Sequence, residues 1–357
     1  MPDPGFWRNR RVLVTGHTGF KGSWLALWLE MLEAEVWGYA LPPRTPDDNY
    51  AVCRLDQKIK SVLGDIRDSG RLEKLFAEVR PEVVFHLAAQ PLVRESYNSP
   101  QETFDVNVGG TVNLLERCRK SDSVRVVVNI TSDKCYENLE LRRGYCEGDR
   151  LGGHDPYSAS KAAAEIITTA YRRSFFAPTG RVGLASARAG NVIGGGDWQK
   201  DRLLPDCIRS LFRGRTITIR HPHATRPWQH VLEPLAGYLS LAERLAADPQ
   251  AFDSAWNFGP RSEDIREVGA VVELVTRIWG GGKWEIASGQ ELLHESTLLH
   301  LDSSKAIAGL GWSPRWSLET SLEKTVAWYR EFFCCPERMY EFSCQQVHAF
   351  QKAREVS

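Results

Sequence analysis

Two short stretches of the sequence carry side chains that can do acid–base chemistry. The apolar run VVVNI leads into Ser132, Asp133 and Lys134, so a hydroxyl, a carboxylate and an amine follow one another where a buried strand is predicted to end. Further along, DPYSASKAAAE places Tyr157 and Lys161 four residues apart. On a helix, this spacing puts both side chains on one face.

A serine, a tyrosine and a lysine together form a set that can move a hydride at an alcohol carbon. Tyrosine can take the hydroxyl proton, a neighbouring lysine lowers the pKa of the tyrosine through its positive charge, and serine can orient the hydroxyl. An oxidised nicotinamide would accept the hydride and help to lower that pKa. We therefore expect Ser132, Tyr157 and Lys161 to be catalytic.

The stretch TGHTGFKG holds the glycines that a dinucleotide site needs. Gly16, Gly19 and Gly22 follow the first predicted strand and open the first predicted helix. Glycine lets the backbone approach a pyrophosphate closely, and a helix N-terminus offers free N–H groups to it. The end of the third predicted strand is placed to meet the adenine. The small residues at the end of the fourth would let the cofactor pass close to the sheet. The predicted cofactor contacts are Gly16, Thr18, Gly19, Phe20, Gly22, Asp65, Ile66, Leu87, Ala88, Ala89, Tyr157 and Lys161.

The choice between the two nicotinamide cofactors is less clear from the sequence. An acid that would hold the adenosine ribose after the second strand is not evident, because Ala40, Leu41 and two prolines occupy that region. Arg44 lies just beyond and is able to receive a 2′-phosphate. We expect NAD as the cofactor, and charge alone leaves NADP open.

Strand-like apolar runs alternate with segments of helical spacing through the first half of the chain. This alternation indicates a parallel sheet with helices on both faces, and the right-handed crossover rule makes the sheet doubly wound. The predicted fold class is α/β, a Rossmann sheet with a smaller C-terminal α/β substrate domain. The predicted strands are 11–16, 35–41, 59–65, 82–89, 124–132 and 182–189, and the helices between them include 69–79, 101–120 and 157–177.

After residue 190 the alternation loosens. The stretch at 190–206 is rich in glycine and charge and is predicted to be a loop. Further predicted elements are strands at 217–220 and 284–288, helices at 231–247, 263–279 and 318–333, and a final helix in the tail. We assign residues 1–189 to a dinucleotide-binding domain, with a segment at 228–260 returning to it, and residues 190–227 and 261–357 to a substrate-binding domain.

Composition excludes several other classes of protein. Lysine plus arginine equals aspartate plus glutamate, at 45 each, so net charge gives no case for nucleic acid or an anionic membrane as a partner. The sequence shows no long apolar run and no signal peptide, so we expect no membrane span. The eight cysteines lack a CxxC spacing, which favours free thiols in the cytoplasm. His221 and His223 have no third ligand in view, so we expect no metal.

These motifs resemble those of a known family. TGHTGFKG, HLAA, TSDKCYE, YSASK and ARAGNVIG are similar to the motifs of the extended short-chain dehydrogenase/reductase enzymes that modify nucleotide sugars, and the likeness runs over nearly the whole chain. Within that family, 4,6-dehydratases place an acid and a second proton-transfer group after the Ser/Thr, whereas epimerases usually have small neutral residues there. The CDP-glucose type carries the Asp–Lys pair found here, and the dTDP- and GDP-sugar types carry Asp–Glu.

The resemblance implies a substrate, a reaction and further residue roles. It implies dehydration of CDP-glucose by transient C4 oxidation, loss of water across C5 and C6, and return of the hydride to C6. Asp133 would protonate the departing hydroxyl, and Lys134 would either remove the C5 proton or stabilise the enolate as a charged group. It also implies a homodimer formed through the helices at 101–120 and 157–177. The implied substrate contacts are Asn191, Arg202 and Arg226.

Two other functions are open at this point. The same fold serves nucleotide-sugar 4-epimerases and NAD(P)-dependent ketosugar reductases, but epimerisation has no use for the pair Asp133–Lys134. A regulator that only binds a dinucleotide is the non-enzymatic alternative, since a fold does not by itself fix a function. The intact set of Ser132, Tyr157 and Lys161 disfavours that alternative.

Overall fold

The computed structural model describes residues 1–287 and 298–353, and its centre is a seven-stranded parallel sheet in the order β11-β6-β5-β4-β1-β2-β3. The predicted doubly wound Rossmann sheet is confirmed. In the described ranges the strands are β1 Arg11–Thr15, β2 Glu35–Ala40, β3 Lys60–Leu63, β4 Val83–His86, β5 Val126–Ile130, β6 Gly183–Ala189, β7 Val192–Ile193, β8 Ile217–Ile219, β9 Thr225–Pro227, β10 Gln229–His230, β11 Ala255–Phe258, β12 Ile265–Glu267 and β13 Trp284–Ile286.

Helices cover both faces of this sheet. Val12 and Val14 of β1 face one apolar core and Leu13 faces the other, which explains why the central strands are continuous apolar runs. Over the same ranges, the α-helices are α1 Pro4–Trp7, α2 Phe20–Met31, α3 Asn49–Val52, α4 Ser69–Val79, α5 Val93–Asn98, α6 Pro100–Phe104, α7 Gly110–Lys120, α8 Pro156–Tyr171, α9 Leu203–Phe212, α10 Leu232–Ala247, α11 Pro249–Phe252, α12 Val268–Trp279, α13 Ser304–Leu310, α14 Leu318–Cys334 and α15 Met339–Lys352.

Two segments differ from the sequence-based prediction. The predicted loop 190–206 was wrong at its end, because α9 begins at Leu203 and buries Leu204, Ile208 and Leu211 on one face. Its proline lies in the first helical turn, where a missing N–H does no harm. The predicted helix 263–279 begins only at α12, since residues 265–267 form β12 and pair with β9. The last residue of the predicted strand 284–288 lies outside the described residues.

The segment predicted to return to the first domain supplies the last strand of the sheet. Strand β11 pairs with β6, and helix α10 precedes it. The smaller sheets β7–β10, β9–β12 and β8–β13 lie after β6 in the chain. Helix α15 packs on α2 near the start of the chain, where Trp28 and Phe350 meet edge to face. The division into two domains stays a prediction.

The turn between β1 and α2 depends on two of its glycines. Gly16 has φ +76, and an added Cβ would lie 2.7 Å from the backbone nitrogen of Ala88. A Cβ on Gly22 would lie 2.1 Å from the carbonyl oxygen of Gly16. Gly16 therefore packs on the segment after β4, and the first turn of α2 packs on Gly16, both more closely than a side chain allows.

Candidate active site

A cleft of about 1480 Å³ opens at the carboxyl ends of the parallel strands. Its lining comes from the segments that follow β2, β4, β5 and β6, and from α9, β8 and β9. In an open α/β sheet this is the edge where ligands bind. Ser132, Asp133, Lys134 and Tyr157 all line it, so the structure brings together the two stretches that the sequence singled out.

The segment after β5 holds the hydroxyl, the carboxylate and the amine in a tight turn. Ser132 caps a short 3₁₀ helix, and its Oγ accepts a hydrogen bond from the backbone of Lys134 at 3.2 Å. The Ser132 hydroxyl donates to Asp133 Oδ1 at 2.9 Å. Asp133 is 3% exposed, and its Oδ2 has no hydrogen-bond partner within the described ranges. The Lys134 side chain is partly exposed to the cleft.

Helix α8 positions Tyr157 and Lys161. Asp155 caps its N-terminus by accepting from the Ser158 backbone at 2.9 Å, and a proline occupies the first helical position. The backbone N–H of Tyr157 donates to Ser96 Oγ at 3.1 Å, which fixes the start of the helix against α5. Tyr157 and Lys161 then lie one turn apart, as their spacing predicted.

Burial sets the ionisation of these two side chains. It raises the pKa of Tyr157 to about 12, against a lowering by a side-chain hydrogen bond with Ser132 and a further rise from the charge of Asp133. Burial also lowers the pKa of Lys161 to about 8, and the charge of Glu165 opposes that shift. In this environment the phenol is protonated at neutral pH, and a positive charge placed beside it would make it ionise more readily.

A buried ion pair that the sequence-based reasoning missed lies beneath the turn formed by residues 131–136. Glu165 of α8 and Arg188 of β6 are 1% and 3% exposed, and Arg188 Nη2 lies 2.7 Å from Glu165 Oε2. The hydroxyls of Thr131 and Ser186 donate to the two Glu165 oxygens at 2.5 and 2.7 Å. Arg188 Nη1 also donates to the Tyr136 hydroxyl at 2.6 Å. The pair thus joins α8, β6 and both ends of the turn 131–136.

Burial by itself would raise the pKa of the Glu165 carboxyl. The charge of Arg188 and the hydrogen bonds from Arg188, Thr131 and Ser186 outweigh that effect and lower it. Glu165 therefore stays charged in the interior. An arginine within the apolar strand GLASARA and a glutamate four residues after Lys161 were the signals in the sequence.

Lys21 is a second cleft residue that sequence reasoning missed. It stands in the glycine turn, half-buried, and lines the cleft. Burial and then the positive charges of Arg202 and Lys161, opposed by Asp133, lower its pKa to about 7. A lysine inside the glycine motif TGHTGFKG was the available signal.

The other predicted cofactor contacts surround the glycine turn. No side chain caps the N-terminus of α2 at Gly19, so its first N–H groups are open to an anion. Thr18 donates to the Leu41 carbonyl at 2.8 Å, and Phe20 is half-buried at the start of the helix. Leu87 and Ala88 donate their backbone N–H groups to Thr15 Oγ1 at 3.2 and 3.3 Å. Ala89 follows in the chain, partly buried.

Asp65 and Ile66 stand at the end of β3, farther along the sheet edge. Asp65 forms a close ion pair with Arg67 at 2.6 Å, and the backbone of Arg67 also donates to it. Side-chain hydrogen bonding by Arg67 lowers the pKa of Asp65. The Ile66 side chain is buried against Gly110 of α7, and its carbonyl accepts from Asn113 Nδ2 at 3.2 Å.

The three predicted substrate contacts all line the cleft. Arg202 forms an ion pair with Asp197 at 2.8 Å, which fixes the guanidinium at the start of α9. Arg226 donates to the Thr225 carbonyl at 2.9 Å, and the carbonyl of Asn191 accepts from the Gln229 backbone at 3.1 Å. Arg44, considered for a 2′-phosphate, lines the cleft and donates to Gln199 at 3.2 Å.

Two kinds of site are not found in the part of the chain that the structure describes. No group of three His, Cys, Asp or Glu side chains there is arranged to hold a metal ion, although His221 lines the cleft. No helix among residues 1–287 and 298–353 is long and apolar enough to cross a bilayer.

Comparison with known proteins identifies the family. The family model described as GDP-mannose 4,6 dehydratase matches residues 13–325. The chain belongs to the GDP-mannose 4,6-dehydratase family. It is 51% identical to the CDP-glucose 4,6-dehydratase of Salmonella typhimurium over 334 residues, 92% of this chain and 93% of that protein. It is 28% identical to the low-salt glycan biosynthesis protein Agl12 of Haloferax volcanii, over 89% of this chain and 98% of that protein.

Solved structures show the same fold. A dTDP-glucose 4,6-dehydratase from Bacillus anthracis in complex with NAD has a TM-score of 0.74 at 23% identity and covers 90% of this chain and 97% of its own. The dTDP-glucose 4,6-dehydratase of Streptomyces venezuelae has a TM-score of 0.77 at 24% identity, with the same coverage. The resemblance seen in the motifs and the prediction of a 4,6-dehydratase enzyme are confirmed.

The buried pair of this dehydratase gives a stability test. Arg188→Met would leave Glu165 charged, buried and uncompensated, so we expect a loss of about 3–5 kcal/mol in the free energy of unfolding. The matched control is Arg8→Met, because the Arg8–Glu33 pair is exposed and its loss should change stability by no more than about 1 kcal/mol. Urea denaturation followed by tryptophan fluorescence measures both.

A further variant separates charge from packing at this position. The double variant Glu165→Leu with Arg188→Met removes both charges, and we expect it to recover most of the loss. A single Arg188→Met variant as stable as the Arg8→Met control would contradict the assignment of a buried charged pair.

Proposed function

We propose that the protein converts CDP-glucose into CDP-4-dehydro-6-deoxy-glucose, with NAD as a cofactor that is regenerated in each cycle. The observation that carries the proposal is the buried turn Ser132–Asp133–Lys134, which lines one cleft with Tyr157. The extensive identity with a CDP-glucose 4,6-dehydratase supports the choice of sugar nucleotide. The eight free cysteines support a cytoplasmic location.

The glycine turn fits a dinucleotide. The close packing of Gly16 on Ala88, of Gly22 on Gly16, and the uncapped N-terminus of α2 form a cradle for a pyrophosphate. Bound NAD would supply the acceptor for the C4 hydride and the donor for C6. Residues 41–44, directly after β2, include no acid for the ribose, and the Arg44 hydrogen bond to Gln199 leaves a 2′-phosphate less favoured.

The first chemical step belongs to Tyr157. Its hydroxyl oxygen takes the proton of the sugar C4 hydroxyl as the C4 hydride departs, and Ser132 orients that hydroxyl. Lys161, one helical turn away, lowers the pKa of the phenol when it is charged. The resulting C4 ketone makes the C5 proton acidic.

The second step is the loss of water across C5 and C6. Lys134 removes the C5 proton, and Asp133 protonates the departing C6 hydroxyl. In the alternative, Lys134 stays charged and stabilises the enolate. A Lys134→Ala enzyme that exchanged the C5 hydrogen at the normal rate would exclude the role of base.

The opposite wall of the cleft is suited to the nucleotide diphosphate. Arg202 and Arg226 would hold the pyrophosphate by charge-assisted hydrogen bonds, because guanidinium matches the geometry of phosphate oxygens. Asn191 would donate to a phosphate from between the two domains. A 4-epimerase is the second candidate function, but Asp133 and Lys134 would have no role in epimerisation.

The reaction itself is tested by proton NMR of the protein with CDP-glucose and NAD in deuterated water. We expect a new C6 methyl signal and deuterium at C5, since the C5 proton exchanges with solvent during the elimination. CDP-galactose as the product would show an epimerase instead. An inert CDP-glucose in the same experiment would contradict the proposed substrate.

We propose a homodimer formed through α6, α7 and α8. Phe104 of α6 and Ile166 of α8 are 38% and 58% exposed, and both lie on the helices expected at the interface. Ile166→Asp should shift the sedimentation coefficient from dimer to monomer. Ile307→Asp is the matched control, because Ile307 is 50% exposed on α13, and it should leave the dimer intact. A monomeric unmodified protein would contradict the proposal.

A further inference from the structure

The turn after β5 and Tyr157 of α8 bring three proton-bearing groups together in a row. The Ser132 hydroxyl donates to Asp133 Oδ1 at 2.9 Å. Ser132 also lowers the pKa of Tyr157 through its side chain, which places the phenol beside that hydroxyl. The three residues are between 3% and 8% exposed, so bulk water has little access to them. Phenol, hydroxyl and carboxylate are therefore connected in that order at the wall of the cleft.

This chain connects the two places where the proposed reaction leaves protons unbalanced, and the inference rests on that proposed function. Oxidation at C4 puts one proton on Tyr157, and the product keeps a ketone there, so that proton does not return to the substrate. The departing C6 oxygen needs one proton to leave as water. The proton taken from C5 is replaced at C5. Each turnover therefore leaves Tyr157 with one proton too many and Asp133 with one too few.

We propose that Ser132 carries this proton from Tyr157 to Asp133 within each turnover. The Tyr157 O–H bond breaks as its proton bonds to Ser132 Oγ, and the proton of Ser132 moves to the Asp133 carboxylate. Asp133 passes a proton to the C6 oxygen, which leaves as water with the electron pair of the C6–O bond. The electrons of the C5–H bond form the C5–C6 double bond. Tyr157 is a phenolate again, ready for the next C4 hydroxyl.

The relay removes a difficulty about the acid. A carboxyl group that must wait in the protonated state near neutral pH is costly, whereas a carboxylate that only transmits a proton can be charged before and after the step. Burial raises the pKa of Tyr157 to about 12, below the value of about 15.7 for water. Transfer from the phenol to a departing hydroxide is therefore downhill, and the ultimate acid is the tyrosine.

The open side of Asp133 agrees with this role. Its Oδ1 faces Ser132, while its Oδ2 has no partner in residues 1–287 and 298–353. A Cβ on Gly190 would lie 2.8 Å from that Oδ2, so only glycine leaves the carboxylate its position. Both Asp133 and Gly190 line the cleft, where the C6 hydroxyl would arrive.

The test compares two substrates that differ only in the leaving group. CDP-6-deoxy-6-fluoro-glucose loses fluoride, which departs as an anion without a proton, and yields the same 4-keto-6-deoxy product. Both substrates share the C4 oxidation, so the ratio of their turnover rates isolates the protonation of the leaving group. A role of Ser132 in orienting the C4 hydroxyl, or in capping the turn at Lys134, slows both substrates equally.

We expect Ser132→Ala to lower turnover of CDP-glucose by a factor of about 100 or more relative to the fluoro substrate, the usual scale for loss of proton transfer to a leaving group. Reduced nicotinamide should accumulate with CDP-glucose in this variant, because oxidation then outruns dehydration. Ser132→Thr keeps the hydroxyl and should keep the ratio close to that of the unmodified enzyme.

A second variant tests whether Ser132 and Asp133 act one after the other. Asp133→Asn cannot pass a proton and should change the ratio as Ser132→Ala does, and the double variant should show no further change. An equal slowing of both substrates in Ser132→Ala would overturn the relay, as would additive effects in the double variant. If the unmodified enzyme gave no product from CDP-glucose, the proposed function itself would fail instead.

Discussion

The buried ion pair between Glu165 and Arg188 is the interaction on which the arrangement of the cleft depends. It connects helix α8, strand β6 and the turn after β5, which are the three segments that bring the acid–base groups together. A charge pair is costly to bury, and this one has hydroxyl partners on both sides, from Thr131 and Ser186 at Glu165 and from Tyr136 at Arg188. Its geometry fixes Thr131 directly, and thereby the position of Ser132 relative to Tyr157.

The electrostatics of the site follow from the burial of its ionisable side chains. Burial raises the pKa of Tyr157 and lowers the pKa values of Lys161 and Lys21, so it favours the neutral form of each of these side chains. A cationic nicotinamide and an anionic pyrophosphate would change that balance when they bind. In the proposed relay, the position of Ser132 beside Asp133 keeps the proton inside the site during the reaction.

Local sequence patterns were sufficient to predict much of the fold and of the candidate site. The glycine turn, the central sheet and the i, i+4 pair Tyr157–Lys161 could be predicted because each depends on spacing along one element. Helix α9 was missed because its first residues follow a glycine-rich run, and its apolar face is visible only over the whole helix. The Glu165–Arg188 pair and the position of Lys21 depend on contacts between distant segments, which a single sequence does not reveal.

The central claim is that one hydride leaves C4 and returns to C6 of the same sugar within this cleft. It is tested most directly with a mixture of two substrates. One is CDP-glucose with deuterium at C4 and ordinary carbon-12, and the other is CDP-glucose with carbon-13 and no deuterium. The account predicts that deuterium appears in the C6 methyl group of the product and stays with the carbon-12 molecules. Loss of the deuterium to solvent, or its absence from C6 in a product that has formed, would contradict it.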